Sequence, residues 1–477
     1  MNVVATPVDR ISAILAGQRA ARLAEGFGDA EFRRGRIQRV IDLLVAHHQV
    51  IVETIDVDFG GRHPGYSLMY DVLGSLTSLK DARDNLEAWM QPEPCTVFAP
   101  YDQPGAGAYV RYQPKGSVGI LGTWNAPVFT LLSPLSSVLA AGNRAVLKPS
   151  EVVPRTAALL AELFAARIDP DDVAVVTGGP DLADAFTRQP FDHLVFTGSS
   201  AIGKKVMRNA ADNLTPVTLE LGGKSPTIVG AGADLCQAAE RVAIAKTNNS
   251  GQLCINADLV YVPRTRLDEF VAALGNAYSA MLPQVADNPD LVSVVNDAHR
   301  ARIRSYIDEA AARGARIETV PESPAGATGE RRMPLSIVVD PPADTRIMAE
   351  EIFGPALVVL PYDTVDEVLA DINARPHPLA LYYFGTDDAE KRAVLDRTLS
   401  GGVTVNDLIL HAGLKDAPFG GVGGSGTGHY HGRAGFLEFS HARTIFEASD
   451  VDVRRAYGLI PPYPPGFTEM MSAQVSP

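Results

Sequence analysis

Between residues 116 and 214, short apolar runs alternate with longer amphipathic ones. The run "GSVGILG" (116–122) has strand length and no charge, whereas "PVFTLLSPLSSVLAAGN" (127–143) spaces its apolar residues as a helix does and ends at Gly142 and Asn143. "AVLKPS" (145–150) reads as the next strand. The cycle repeats through helical "PRTAALLAELFAARI", strand "VAVVTGG", a short helix over "DLADAFTRQ", strand "HLVFTG" and helix "SAIGKKVMRNAADNL". Such alternation predicts an α/β fold: a Rossmann-like doubly wound parallel sheet with helices on both faces, whose ligands bind beyond the carboxyl ends of the strands.

The flanking regions differ. Residues 8–95 carry mostly amphipathic helix patterns, as in "RRGRIQRVIDLLVAHHQVIVETI". Its adjacent His47 and His48 point about 100° apart on a helix and suit solvent better than a shared metal. A second α/β unit begins near residue 222, with strands such as "LVYVP", "ALVVLPYD" and "ALYYFG". The tail "YGLIPPYPPGFTEMMSAQVSP" is proline-rich and expected to be extended.

Composition narrows the class. A chain of 477 residues, 46% apolar and 21% charged, is an ordinary globular protein large enough for several domains. Its net charge of −14 argues against general nucleic-acid binding. The three cysteines, Cys95, Cys236 and Cys254, form no CxxC and no zinc pattern, so no metal is expected and a reducing, cytoplasmic setting is the simplest reading. No secretory signal pattern opens the chain, and the longest uncharged stretch, 112–143 apart from Lys115, is broken by "QP", "WNAP" and "LSP", which argues against a membrane span.

Candidate chemistry falls at strand ends. In "DHLVFTGSSAIGKKVM", Gly198 and Gly203 bracket a strand-to-helix turn that either receives a phosphate at the helix N-terminus or is simply a tight turn. One unit earlier, "VLKPSE" sets Lys148 and Glu151 just after a strand, where a carboxylate can accept from ribose hydroxyls. In "PVTLELGGKSP", alternation puts Val217, Leu219 and Leu221 on one face and Thr218 and Glu220 on the other, so Glu220 emerges at the strand end before Gly222 and Gly223. That is the place for a base, although a lone glutamate is more commonly a surface ion pair. Cys254 follows a helix, in the polar loop "NNSGQLC" that Gly251 loosens. Nucleophile, ligand and small buried side chain are all open to it. A free thiol is only a few per cent ionised at neutral pH, so a nucleophilic Cys254 needs a lowered pKa or a nearby base. Cys236 is expected to be a buried apolar filler on the preceding helix.

The runs "GTWNAP" (122–127), "VLKPSE", "LELGGKSP", "SGQLCINAD", "EEIFGPALVV" (350–359) and "APFGGVGGSGTGHYHGRAGFLEFS" (417–440), in this order, resemble the aldehyde dehydrogenase superfamily over residues 10 to 450. "GHYHG" is similar to the class 3-like branch, and "IPPYPPGF" to the tail of bacterial coniferyl aldehyde dehydrogenases. The resemblance implies a Cys254 nucleophile, Glu220 as the base that activates water, and an oxyanion site formed by Asn125 and the Cys254 backbone N–H. It implies that Trp124, Lys148, Glu151, Gly198, Ser199, Gly203, Glu351 and Phe353 contact NAD, with NADP the alternative; "EEIFGP" alone would leave Phe353 an ordinary core aromatic. It also implies a dinucleotide-binding domain (1–99 and 116–221), a catalytic domain (222–437), an oligomerisation arm (100–115, read as a β-hairpin, with 438–450) and a tail (451–477). The expected assembly is a homodimer.

Ala126 stands where many relatives carry Tyr or Phe, and Leu253 replaces a threonine before the nucleophile. With Ala126, Thr130, Ser133, Leu253 and Ile255 lining a substrate tunnel, the lost ring opens room for an aromatic or otherwise bulky aldehyde. "CINAD" departs from the branch's usual "CIAPD" at Asn256. Three readings follow: an aldehyde dehydrogenase that hydrolyses its thioester, a relative that passes the acyl group to coenzyme A, and a non-catalytic NAD-binding scaffold.

Overall fold

The computed structural model describes residues 5–322 and 331–475. The apolar runs of the first unit form one six-stranded sheet, in the order 426–427, 217–220, 193–197, 117–121, 144–148, 173–175. All its neighbours are parallel except the outermost pair, where Gly426 lies antiparallel to Glu220 and Thr427 to Leu219. Its central strands are buried along their whole length, which explains why they read as continuous apolar runs and not as alternation. The pleat still sorts side chains. Val118, Ile120, Leu147 and Val195 pack on one face against Leu131, Leu135 and the N-terminal helices, while Leu121, Val146, Leu194 and Phe196 pack on the other with Phe186 and Val206. Each fully buried Val or Ile contributes about 1.5–3 kcal/mol over the exposed state. The helix Phe129–Ala140 is buried on nearly every side, as a helix apolar all round must be.

The second unit holds a seven-stranded sheet, in the order 316–320, 335–339, 356–362, 259–263, 226–229, 380–384, 402–405, parallel except for its first strand. The N-terminal region is helical, chiefly Val8–Glu25, Ala30–Phe59 and Gly74–Trp89. Asp29 caps the second by accepting from the Phe32 N–H at 2.9 Å, and Gly60, at φ +64°, ends it in the left-handed conformation that glycine adopts at low cost. A π-helical turn, Leu68–Leu73, leads into the third.

A third sheet departs from expectation. Residues 100–115 supply no hairpin of their own. They contribute one strand, Gly107–Pro114, paired with Glu93–Pro94 on one side and Ser440–Glu447 on the other. Pro100 and Pro104 cannot donate to a ladder, so the return strand lies upstream of them. Cys236 is also corrected: it sits exposed in the first turn of the helix Leu235–Thr247, whose inward positions are Leu235, Ala238 and Ala239. The tail is exposed and carries two short helices, Val453–Ala456 and Phe467–Ser472. His47 and His48 lie half-buried on Ala30–Phe59, and among the described residues no cluster of metal-binding side chains forms. No helix among the described residues is long and apolar enough to cross a membrane.

Candidate active site

The loop leading to Cys254 is strained before it reaches the cysteine. After the helix Leu235–Thr247 the chain passes through three successive left-handed residues, Asn249 (φ +51°), Ser250 (φ +50°) and Gly251 (φ +73°). Left-handed backbone is costly for non-glycine residues and persists only where surrounding contacts enforce it. Here they do. The Ser250 hydroxyl donates to the Val292 carbonyl, and Gln252 donates to the Asn249 and Ser293 carbonyls at 2.8 and 3.1 Å while accepting from the Val295 N–H at 3.0 Å. Gly251 is required by space as well: a Cβ there would stand 2.3 Å from the Gly354 carbonyl oxygen. Beyond the cysteine, Asn256 donates to the Ala245 carbonyl at 2.6 Å, tying the loop back to the helix it left. That contact gives the departure from "CIAPD" a structural role.

Asn125 meets this loop edge to edge. Its Nδ2 donates to the Gln252 carbonyl at 3.0 Å, and its own carbonyl accepts from Asn249 Nδ2 at 3.1 Å. An amide nitrogen has two hydrogens. One is committed to Gln252, which fixes the amide plane and leaves the second free to receive charge.

Glu220 is buried, and neither carboxylate oxygen has a hydrogen-bond partner among the described residues. Buried polar atoms are nearly always paired, so an orphaned carboxylate needs a reason. Burial, and then the charge of Glu438, hold it protonated well above the usual carboxylate range. Glu351 behaves similarly, raised to about 8 by burial and by Asp258. Its position is fixed by neighbouring backbone: Arg302 donates to the Glu351 and Ile352 carbonyls at 3.2 and 2.9 Å, and Phe353 is held at φ +49°. A Cβ on Gly222 would lie 2.1 Å from the Glu351 carboxylate, so glycine there lets the acid approach the Glu220 strand. The Cys254 thiol feels both acids. Burial, then Glu351 and Glu220, push it up to about 12. The Cys254 and Ile255 backbone N–H groups act the other way, drawing the thiol pKa down, but the net direction is upward.

The strand ends of the six-stranded sheet carry groups that suit a nucleotide. Lys148, almost wholly buried at the end of its strand, pairs with exposed Glu151 at 2.6 Å. Gly198 and Gly203 bracket the turn into the helix Ser200–Ala211; its N-cap Ser199 makes no capping hydrogen bond, so the first N–H groups face outward. Gly203 packs against Leu221, whose methyl would lie 2.9 Å from a Cβ placed there. Trp124 and Phe353 meet edge to face with centroids 5.2 Å apart. A carboxylate for ribose, uncapped N–H groups for pyrophosphate and a glycine cradle suit a dinucleotide.

On the substrate side, Ala126 and Leu253 are half-buried. Thr130 turns inward, accepting from the Thr123 N–H at 3.1 Å and donating to the Ala126 carbonyl at 3.0 Å. Two expected wall residues are buried. Ser133 is fully buried, its hydroxyl 3.0 Å from His431 Nε2 and 3.1 Å from Ser78 Oγ, because the helix rotates it toward the N-terminal helices. Ile255 packs into the core of the second unit, and its carbonyl accepts from the Tyr382 hydroxyl. Tyr382 and Tyr430 were not legible as site residues, although both hydroxyls lie close enough to be raised by the Cys254 charge. Each sits in a strand-like or glycine-rich run that carries no chemical pattern of its own.

Residues 6–445 match the profile of the Aldehyde dehydrogenase family. The chain is 46% identical over 467 residues to the probable coniferyl aldehyde dehydrogenase of Caulobacter vibrioides, covering 97% of this chain and 96% of that one. It is 42% identical over 455 residues to the coniferyl aldehyde dehydrogenase of a Pseudomonas species, covering 94% and 93%. Among solved structures, the substrate-bound state of Staphylococcus aureus AldH superposes with a TM-score of 0.90 at 30% identity over 100% of both chains. The Mycobacterium tuberculosis aldehyde dehydrogenase complexed with NAD+ superposes with a TM-score of 0.82 at 28% identity, covering 93% and 91%. The chain belongs to the aldehyde dehydrogenase family and is an NAD(P)-dependent aldehyde dehydrogenase.

Proposed function

We propose that Cys254 attacks the carbonyl carbon of an aromatic or otherwise bulky aldehyde, and that Glu220 serves as base for the cysteine and for the water that later cleaves the acyl-enzyme. The observation that carries this reading is the orphaned, buried Glu220 carboxylate close enough to the thiol to shift its pKa. Attack gives a thiohemiacetal whose oxyanion is received by the free Asn125 N–H and the Cys254 backbone N–H. When bound, NAD accepts the hydride that converts this adduct into a thioester. Once the proton taken from the cysteine has passed to solvent, Glu220 takes a proton from water as the water attacks; the C–S bond breaks, the acid leaves, and the proton on Glu220 returns to Sγ to re-form the thiol. Lys148 and Glu151 would hold the adenosine ribose, the turn from Gly198 through Ser199 to Gly203 the pyrophosphate, Glu351 the nicotinamide ribose, with Trp124 and Phe353 beside the ring. The negative Glu151 opposes a 2′-phosphate, which favours NAD over NADP. NADH formation from an aldehyde without coenzyme A supports hydrolysis, and a strict requirement for coenzyme A would replace it with acyl transfer.

Asn125→Ala is expected to lower kcat by about 10²–10³-fold, the worth of one oxyanion donor, with NAD affinity unchanged. Steady-state kinetics alongside a fluorescence titration of NAD distinguish this from loss of the site.

The substrate class is supported by the small, half-buried Ala126 and by relatives named for coniferyl aldehyde. A benzaldehyde-type substrate should exceed acetaldehyde in kcat/KM by roughly 10-fold or more, the scale of filling an apolar pocket; preference for acetaldehyde would refute it. We further assign residues 1–99 and 116–221 to cofactor binding and 222–437 to catalysis. The Ser440–Glu447 strand, at a sheet edge, is the surface through which a homodimer would form. A cytoplasmic setting accords with three free cysteines.

A further inference from the structure

The Asn125 peptide is gripped from the N-terminal helices as well as from the nucleophile loop. Arg62 Nη1 donates to the Asn125 carbonyl at 3.0 Å, beside the bond from Asn249. Arg62 Nη2 donates to Asp71 Oδ2 at 2.6 Å, and both side chains are fully buried. The other Asp71 oxygen accepts from the Val128 and Phe129 N–H groups at 3.0 and 3.3 Å, where the helix Phe129–Ala140 begins. The guanidinium is clamped between two rings, 4.8 Å from Phe59 and 4.9 Å from Tyr66. Asp71 itself is presented by the π-helical turn Leu68–Leu73, a rare conformation that recurs at functional sites.

These contacts share one geometric effect. A carbonyl accepting two donors has its peptide plane fixed, and that plane sets the direction in which the Asn125 side chain leaves the backbone. A guanidinium suits the task because its planar fork reaches two acceptors at a set angle, which a lysine cannot do. Stability alone is a poor reason to bury such an ion pair, since an apolar pair of similar volume does as well.

We propose that Arg62, anchored by Asp71, is a positioning residue for the oxyanion site, holding the Asn125 peptide and the start of the helix Phe129–Ala140 as one rigid unit. This rests on the reading of Asn125 as an oxyanion donor. The experiment is a double-mutant cycle on single-turnover NADH formation, with enzyme in excess over a benzaldehyde-type substrate and saturating NAD. Arg62→Lys is expected to slow that step by about 10- to 100-fold, the penalty for misplacing a catalytic group by about an ångström. In an Asn125→Ala background the same substitution is expected to change the rate by less than about twofold, because the group it positions is gone. A merely structural role predicts equal losses in both backgrounds and would overturn the proposal, as would an Arg62→Lys enzyme at the wild-type rate. If Asn125→Ala alone leaves the rate unchanged, the oxyanion reading fails and the proposal with it. If Asn125→Ala slows the step but Arg62→Lys does not, only the positioning role fails. Should Arg62→Lys not fold, Asp71→Asn tests the same linkage with the same outcomes.

Discussion

Cys254→Ala is expected to abolish NADH production from every aldehyde, by on the order of 10⁴-fold or more, while NAD still binds. Without Sγ there is no atom to form the covalent adduct from which hydride leaves, and the Asn125 amide has no tetrahedral oxyanion to receive. Folding should be little affected. The thiol is half-buried, and the three left-handed residues before it are fixed by Gln252, Ser250 and Asn249 and not by the cysteine. Steady-state turnover, NAD titration and a thermal melt check this together; residual turnover above about one per cent of wild type would remove Cys254 from the mechanism. The wild-type thiol should also alkylate with iodoacetamide slowly at neutral pH and faster as pH rises, because burial, Glu351 and Glu220 push its pKa up to about 12.

Glu220→Gln should separate the two halves of the reaction. The amide is nearly isosteric but can take a proton from neither the cysteine nor water, so the single equivalent of NADH should appear more slowly than in the wild type, and acid release should fall further, by about 10²- to 10⁴-fold. Rapid-quench measurement of acid against stopped-flow NADH tests it, and acid release at the wild-type rate would refute the base assignment. The pH dependence has a definite sign. A general base works deprotonated, and burial with Glu438 raises the pKa of Glu220, so wild-type hydrolysis should rise with pH up to that raised value and then level. Glu220→Gln should lack this rise. Glu438→Gln, which removes the neighbouring negative charge, should move it to lower pH.

How much of this was legible depended on whether the signal was local. Four strands of the six-stranded sheet, 117–121, 144–148, 173–175 and 193–197, were readable as short apolar runs and 217–220 by alternation, but 426–427 was not, and the helices between them were readable because Gly, Pro or Asn punctuates their ends. Cys254, Glu220 and Asn125 could be singled out from strand-end placement and family resemblance. Long-range packing was not legible. Helix phase leaves Ser133 on a face that the sequence cannot orient, and its burial against His431 and Ser78 depends on a segment nearly 300 residues later. Cys236 looked like core because its neighbours are small, yet helical geometry turns it outward. The expected 100–115 hairpin missed only its first strand, which is Glu93–Pro94 upstream of residue 100, whereas the pairing with the late strand Ser440–Glu447 formed. Arg62 and Asp71 lie in an ordinary amphipathic stretch, and nothing nearby announces that they reach Asn125.

The antiparallel pairing of Gly426 with Glu220 bears on how the enzyme loses activity. The strand carrying Glu220 is the edge of the parallel array until the segment around Gly426 folds onto it, and these positions lie in opposite halves of the chain. Closing so long a loop is entropically expensive and is favoured only by contacts formed late. Local opening of the glycine-rich 420–428 segment would expose Glu220 to water, return the carboxylate toward ordinary acidity and silence hydrolysis while the parallel strands of both large sheets remain folded. The chemistry is thus less robust than the fold, and inactivation on warming should precede melting.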